Sequence, residues 1–230
     1  MKIHAVLFGA TGMIGRGVLI EALEHPEVAS VLAIGRRSCG LQHAKLREIV
    51  RQDFLDYSDI EGQLSGYNAC FFCLGVSSSG MPPETYYTIT HDYAVTAAEV
   101  LSRLNRDMVF CFVSGAGTDD REQSRMRWAR VKGKAENSLK AFPFRGLYLM
   151  RPAYIQHRKG VKPSYAFYRL LTPLFPVLKF LFPGWVSSTE EVGLAMIHAV
   201  LFGAEKQTLE SSDIIALARK NRVRQEFQQA

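Results

Sequence analysis

With 230 residues, 47% of them apolar and 22% charged, the chain has the length and composition of one soluble domain able to bury a sizeable core. Its 28 Lys and Arg against 22 Asp and Glu leave a net charge of +6, and no basic block marks a nucleic-acid partner. Four cysteines (Cys39, Cys70, Cys73, Cys111) exclude a disulfide framework at this length, and the six histidines show no metal-ligand spacing.

An apolar run, Ile3 to Phe8, stops abruptly at Gly9-Ala10-Thr11-Gly12-Met13-Ile14-Gly15. A helical pattern begins at once with Met13, Ile14, Val18, Leu19, Ala22 and Leu23. This predicts a buried parallel strand, a tight turn and a helix start. In such a turn Gly9 lets the chain bend, Gly12 lets backbone approach a ligand, and Gly15 lets the helix pack on the strand. The N–H groups of the first helical turn, with the positive end of the helix dipole, favour an anion such as a pyrophosphate. Arg16 stands where a Walker A loop needs Lys, which excludes that loop. Because the chain opens directly in this strand, no targeting segment is expected, and a cytoplasmic protein is.

The next strand, Val31 to Gly35, ends in Arg36-Arg37. At this place an NAD site supplies a carboxylate for the ribose 2′-hydroxyl, and an NADP site supplies arginine for the 2′-phosphate. No carboxylate occurs between Glu27 and Glu48, so NADP is expected, with NAD as the alternative. A third strand, Leu46 to Gln52, leads to Asp53-Phe54, where the carboxylate suits an adenine amino group and the ring suits its face. Asp59 reads as the cap of a following helix. Cys70 and Cys73 form a CxxC inside the strand Ala69 to Leu74, where positions three apart face opposite ways, so both read as core. The loop after it, Gly75-Val76-Ser77-Ser78-Ser79-Gly80, would let backbone at Leu74, Gly75 and Val76 lie against a cofactor. A helix is predicted from about Glu84 to Leu104, with Tyr87, Val95, Ala98 and Leu101 facing the core. Met108 to Val113 reads as the fifth strand, ending at Ser114-Gly115. A polar helix from about Asp120 to Lys140 and a sixth strand, Gly146 to Met150, follow. This alternation predicts an α/β fold, a Rossmann-like doubly wound parallel sheet with every motif at the strands' carboxyl ends.

On these residues the chain resembles an atypical member of the short-chain dehydrogenase/reductase superfamily, close to small epimerase-like NAD(P)-binding proteins. The resemblance rests on the glycine turn, Gly35 to Arg37, Asp53-Phe54, Cys73 to Gly75, Val113-Ser114, Lys132 and Arg151-Pro152-Ala153. It implies cofactor contacts at the turn, Arg36, Asp53, Phe54 and Leu74 to Val76, with Pro152, Ala153 and Ile155 facing the nicotinamide. It also implies a Ser–Tyr–Lys set in which Tyr and Lys share one helix face four residues apart. Ser114 and Lys132 fit, and Lys132 would hydrogen-bond the nicotinamide ribose. Trp128, however, stands four residues before Lys132, and Arg130 four before Lys134. An indole N–H donates without titrating usefully, so the usual phenol is missing. Three readings follow: another tyrosine (Tyr86, Tyr87, Tyr93 or Tyr154) serves, or hydride transfer to a quinone-like acceptor needs no strong protein acid, or the cofactor is bound without turnover. Sugar-nucleotide epimerisation is less favoured, because it needs the same phenol.

Residues 1–155 thus read as the cofactor core and 156–230 as a substrate or cap segment with closing helices. Tyr165 to Trp185 holds seven aromatics but is broken by Pro173, Pro176, Pro183 and Lys179, which excludes a membrane span. A pocket cap, a dimer face and a peripheral membrane contact all fit it, as monomer or homodimer. Ser188 and Glu191 form a capping-box pattern ahead of Val192, Ala195, Met196 and Ala199, a helix ending near Gly203. His91-Asp92 and His157-Arg158 read as structural pairs. A small-molecule substrate is the expected partner.

Overall fold

The computed structural model describes residues 1–156 and 184–228, with side chains described as far as Lys220. His157-Arg158 and nearly all of the aromatic segment 165–185 lie outside the described residues; Trp185, within them, is 65% exposed.

Seven parallel strands form the main sheet: β1 (Ile3–Phe8), β2 (Val28–Gly35), β3 (Leu46–Val50), β4 (Ala69–Phe72), β5 (Val109–Val113), β6 (Gly146–Arg151) and β9 (Thr208–Glu210). Their order is β3-β2-β1-β4-β5-β6-β9, and each neighbouring pair is parallel. A separate parallel pair joins β7 (Tyr154–Gln156) to β8 (Val186–Ser188). The order reverses between β1 and β4, the switch point at which an open α/β sheet leaves a crevice beyond its carboxyl ends.

Helices cover both faces, as the near-continuous apolar strands require. On one side α1 (Met13–Glu24), α5 (Thr189–Phe202) and α6 (Ser211–Gln228) enclose Val18, Leu19, Met196, Val200 and Ile214. On the other, α3 (Tyr93–Leu104) and α4 (Arg127–Leu139) enclose Ala94, Ala98, Leu101, Ala135 and Leu139. Cys70 packs on the second side and Cys73 against the first, and all four cysteines are free. Segments after residue 184 enter the core itself, for β9 extends the main sheet and α5 lies against α1. That helix pair is close because Gly193 faces Glu21, where a Cβ would meet the Glu21 Cγ at 2.9 Å.

The cap of α5 is the one its sequence predicts. Ser188 Oγ accepts from the Glu191 N–H at 3.0 Å, and a Glu191 carboxylate oxygen accepts from the Ser188 N–H at 2.9 Å. Three expectations are corrected. The helix predicted over 84–104 is α2 (Pro83–Tyr87), a π turn (Thr88–Asp92) and α3 in unbroken succession. The wider turn shifts the buried face, so Tyr86, Thr90, Ala94 and Ala97 are buried while Tyr87 and Val95 are half-buried. The helix predicted from Asp120 begins at Arg127, because the Asp119 carboxylate accepts from the N–H groups of Arg121, Gln123 and Ser124 and holds them in a loop. Asp59 caps no helix, since its carboxylate is engaged by Arg51 at 3.0 Å.

Among the described residues no helix is long and apolar enough to cross a membrane, and no group of His, Cys, Asp and Glu has the placement to hold a metal. His198, 2% exposed, donates from Nδ1 to the Leu217 carbonyl at 2.8 Å, and its ring lies 6.1 Å from that of His25. Burial, foremost, lowers the pKa of both rings below the ordinary 6.5. The unfolded chain therefore takes up protons first as pH falls through 6.5, and stability is lost in that direction. Thermal midpoints are expected to fall between about pH 7 and pH 5, and to fall less in His198→Gln. An unchanged slope in the variant would remove this ring pair as the cause.

Candidate functional site

At the switch point a cleft of about 450 Å³ opens beyond the carboxyl ends of β1, β2 and β4. Its floor is the glycine turn, with Gly9, Thr11 and Gly12 lining it. Gly9 has φ +81°, and a Cβ there would sit 2.7 Å from the Cys73 and Leu74 backbone, so two strand ends meet through its missing side chain. The Gly12 N–H donates to the Gly9 carbonyl at 2.9 Å and closes the turn. At Gly15 a Cβ would lie 2.1 Å from the Gly9 carbonyl oxygen, so α1 starts directly against the turn. No side chain caps α1 and its first turn has no acidic residue, which leaves its N-terminal amides to an anion.

Arg36 and Arg37 line the far wall with Gly35 and Gln52. Both arginines are exposed, and neither has a side-chain partner among the described residues. Leu74, Gly75 and Val76 form the near wall after β4, beside Cys73. Burial pushes the Cys73 thiol well above its usual range, so it is inert lining. Phe54 closes one end and stacks on Tyr93, with ring centroids 5.2 Å apart. Arg127 pins the serine loop at the rim by donating to the Ser78 and Met81 carbonyls at 2.7 and 3.0 Å.

The sequence-predicted residues thus divide. Gly9, Thr11, Gly12, Arg36, Arg37, Phe54, Leu74, Gly75 and Val76 line the cleft. Asp53 does not: its carboxylate is turned to the Leu55 N–H at 2.7 Å, and Gln52 stands at the wall instead. Met13, Ile14 and Gly15 lie behind the turn as the start of α1. Ser114, Lys132, Pro152, Ala153 and Ile155 gather elsewhere, around the carboxyl ends of β5 and β6. The Pro152 carbonyl accepts from Ala116, the Ala153 N–H donates to Ser211 Oγ at 2.7 Å, and Ile155 is buried on β7. Sequence reasoning missed Gln52 and Ile89 as lining, read Cys73 as core, and offered Tyr93 only as one of four candidate tyrosines for the nicotinamide end. Ile89 and Tyr93 reach the cleft across the π turn, which an unbroken 3.6-residue period does not foresee.

Around β5 the polar groups satisfy one another. Lys132 Nζ donates to the Val113 and Ser114 carbonyls at 3.3 and 3.1 Å. Desolvation pulls its pKa down to about 8, against the Glu136 carboxylate four residues on, which raises it. Thr118 Oγ1 donates to the Gly115 carbonyl at 2.7 Å and shares a 2.8 Å hydrogen bond with Ser114 Oγ. Trp128 lies against the Gly115–Gly117 turn, its indole 3.4 Å from where a Gly117 Cβ would be. Among the other tyrosines, Tyr93 sits at the Phe54 end, Tyr87 stacks on His91, and Tyr86 is buried under Arg127. His91 is structural, bridging Asp92 at 2.8 Å and Ser138 at 3.0 Å.

The fold is shared with solved enzymes, one of them in complex with NAD+. It superposes on the Bordetella bronchiseptica enzyme WbmF in complex with NAD+ with a TM-score of 0.66 at 13% identity, covering 95% of this chain and 78% of that one. A UDP-N-acetylglucosamine 4-epimerase from Methanobrevibacter ruminantium gives 0.66 at 18% identity, over 91% and 76%. In sequence the chain is 27% identical over 206 residues to a protein of Emericella nidulans named "Protein fmp52, mitochondrial", covering 86% of this chain and 87% of that protein. Relatives from Aspergillus clavatus and Candida glabrata bear the same mitochondrial name. That naming overturns the cytoplasmic expectation, which rested only on the absence of a leader pattern before β1. The sequence model of the family described as NAD(P)H-binding matches residues 9–158, from the glycine turn to just past β7. The chain therefore belongs to the NAD(P)H-binding family.

Proposed function

We propose that the protein is an NADP(H)-dependent oxidoreductase acting on an apolar or aromatic carbonyl or quinone-like compound, in mitochondria like its named relatives. The observation that carries the cofactor choice is the pair of exposed guanidinium groups, Arg36 and Arg37, without a side-chain partner among the described residues, on the wall reached from the end of β2. They match the dianionic 2′-phosphate of NADP, while among the described residues no carboxylate lines that wall for the free ribose of NAD. The glycine turn and the uncapped N-terminus of α1 would hold the pyrophosphate, and Phe54 with Tyr93 would flank the adenine.

The bound cofactor supplies or accepts the hydride. Lys132 holds a proton at Nζ beside the β5 end and, with a pKa of about 8, releases or regains it near neutral pH. With its proton directed at Thr118, Ser114 Oγ offers an acceptor oxygen to a substrate hydroxyl. Trp128 moves no proton, which favours acceptors that take theirs from water. It also favours a second reading, a non-catalytic NAD(P)-binding regulator or redox-sensing scaffold. Either way Lys132 would orient the nicotinamide ribose, with Pro152, Ala153 and Ile155 at that end.

Calorimetry of NADPH and NADH binding tests the cofactor choice, and a turnover assay separates the two readings. Wild type is expected to prefer NADPH, and Arg36→Ala to weaken NADPH by about tenfold, the loss of one charge-assisted contact, while NADH is unchanged. Equal affinity for both cofactors in wild type would sink the 2′-phosphate reading. NADPH oxidation with quinones or aromatic aldehydes supports the oxidoreductase, and tight binding without turnover supports the regulator.

A further inference from the structure

Building on the reading that Arg36 and Arg37 face the 2′-phosphate, we propose that Glu48 and Arg16 are positioning residues that set the preference for NADP(H). They do so by clamping the segment that carries the two arginines. The connection from β2 to β3, residues 36–45, contains no helix or strand to hold Arg36 and Arg37. The rigidity comes from outside. Glu48, on β3, uses both carboxylate oxygens on consecutive residues of the connection. Ser38 Oγ donates to one oxygen at 2.7 Å, and the Cys39 N–H donates to the other at 2.7 Å. Ser38 Oγ in turn accepts from the Gly40 N–H at 3.0 Å. From the opposite side Arg16, in the first turn of α1, donates to the Cys39 carbonyl at 2.5 Å. Gln52 donates to the Arg36 carbonyl at 3.0 Å.

The backbone on both sides of Arg37 is therefore tied to α1 and to the β3 end, while the two guanidinium groups stay exposed and unpartnered among the described residues. That is the arrangement of a preorganised anion site: the chain entropy is settled before the ligand arrives, and the charged heads are free to take it. The parallel pairing of β2 with β3 makes it available, since it sets Glu48 opposite Ala33 at the carboxyl end of β2, from where its carboxylate reaches Ser38 and Cys39. Arg16 does double duty, because the residue after the glycine turn couples the pyrophosphate end of the cleft to the 2′-phosphate end.

Simple electrostatics and the clamp predict opposite signs. Glu48 is an anion near the proposed phosphate position, so by Coulomb's law alone its removal would tighten NADPH binding. By the clamp, its removal frees the connection and loosens NADPH. NADH, which has no 2′-phosphate to meet, would be little affected.

The experiment is calorimetric titration of NADPH and of NADH into wild type, Glu48→Ala, Glu48→Gln and Arg16→Met, with folding checked by circular dichroism and melting. The expected result is a loss of NADPH affinity of about tenfold in Glu48→Ala, a smaller loss in Glu48→Gln, which keeps one acceptor, and NADH affinity within about twofold of wild type. Arg16→Met is expected to behave like Glu48→Ala. If wild type prefers NADPH and Glu48→Ala binds it equally or more tightly, the clamp is overturned and the cofactor reading stands. An equal loss for both cofactors reduces Glu48 to a general structural role and also overturns the clamp. Absence of any NADPH preference in wild type removes both readings together. Should Glu48→Ala not fold, Ser38→Ala deletes one of the two contacts from an exposed side chain and carries the same comparison.

Discussion

Glu136→Ala is expected to lose about 3 kcal/mol or more of stability, the cost of breaking a buried ion pair from one side. The Glu136 side chain is fully buried, and both its oxygens are engaged by Arg151, from Nε at 3.0 Å and from Nη2 at 2.5 Å. Arg151 stands at the end of β6 and reaches Glu210 of β9 at 3.6 Å and Asp120 before α4 at 3.8 Å. These two remaining carboxylates are about half exposed, so they soften the loss without replacing a bidentate partner. For a chain of this size a loss of that order lowers the melting midpoint by roughly 6–12 °C. Glu136→Gln preserves shape and one acceptor and is expected to lose less. A melting shift below about 2 °C in Glu136→Ala would show that the pair contributes no more than a surface bridge. The same variant bears on the β5 cluster. Because Glu136 raises the pKa of Lys132 against desolvation, its removal is expected to drop the Lys132 titration further below about 8, read by NMR of the labelled lysine.

Gly9→Ala is expected to abolish detectable cofactor binding and to destabilise the fold by about 2–5 kcal/mol, from left-handed backbone strain and overpacking together. A methyl group there has no slack to use, since its neighbours at 2.7 Å are backbone atoms of Cys73 and Leu74 rather than a movable side chain. Relief requires β1 and β4 to separate at their carboxyl ends, which opens the cleft floor. Melting and NADPH titration check the two effects independently. A variant that melts like wild type would mean that the turn has more freedom than its contacts indicate.

Much of the fold is legible in sequence because its signals are local. An apolar run stopping at Gly9 and a helical period starting at Met13 need only neighbours in the chain to be read, and the same holds for Ser188 capping α5. The resulting alternation of strands and helices leaves few arrangements, and the parallel, doubly wound order is among them. Arg36 and Arg37 are legible as cleft lining for a similar reason: the residues that follow the second strand stand at the carboxyl edge of the sheet wherever the rest of the chain goes.

What the sequence by itself determined is therefore the sheet, the glycine turn and the class of ligand. Tertiary structure alone decided the rest, through contacts between residues far apart in the chain. The π turn rotated Ile89 and Tyr93 into the cleft, and the Asx turn at Asp53 put Gln52 at its wall. Pairing of β2 with β3 brought Glu48 beside Cys39, and packing of α4 on β5 desolvated Lys132. Burial and partner choice belong to the folded ensemble of contacts, and no periodicity within a single segment encodes them.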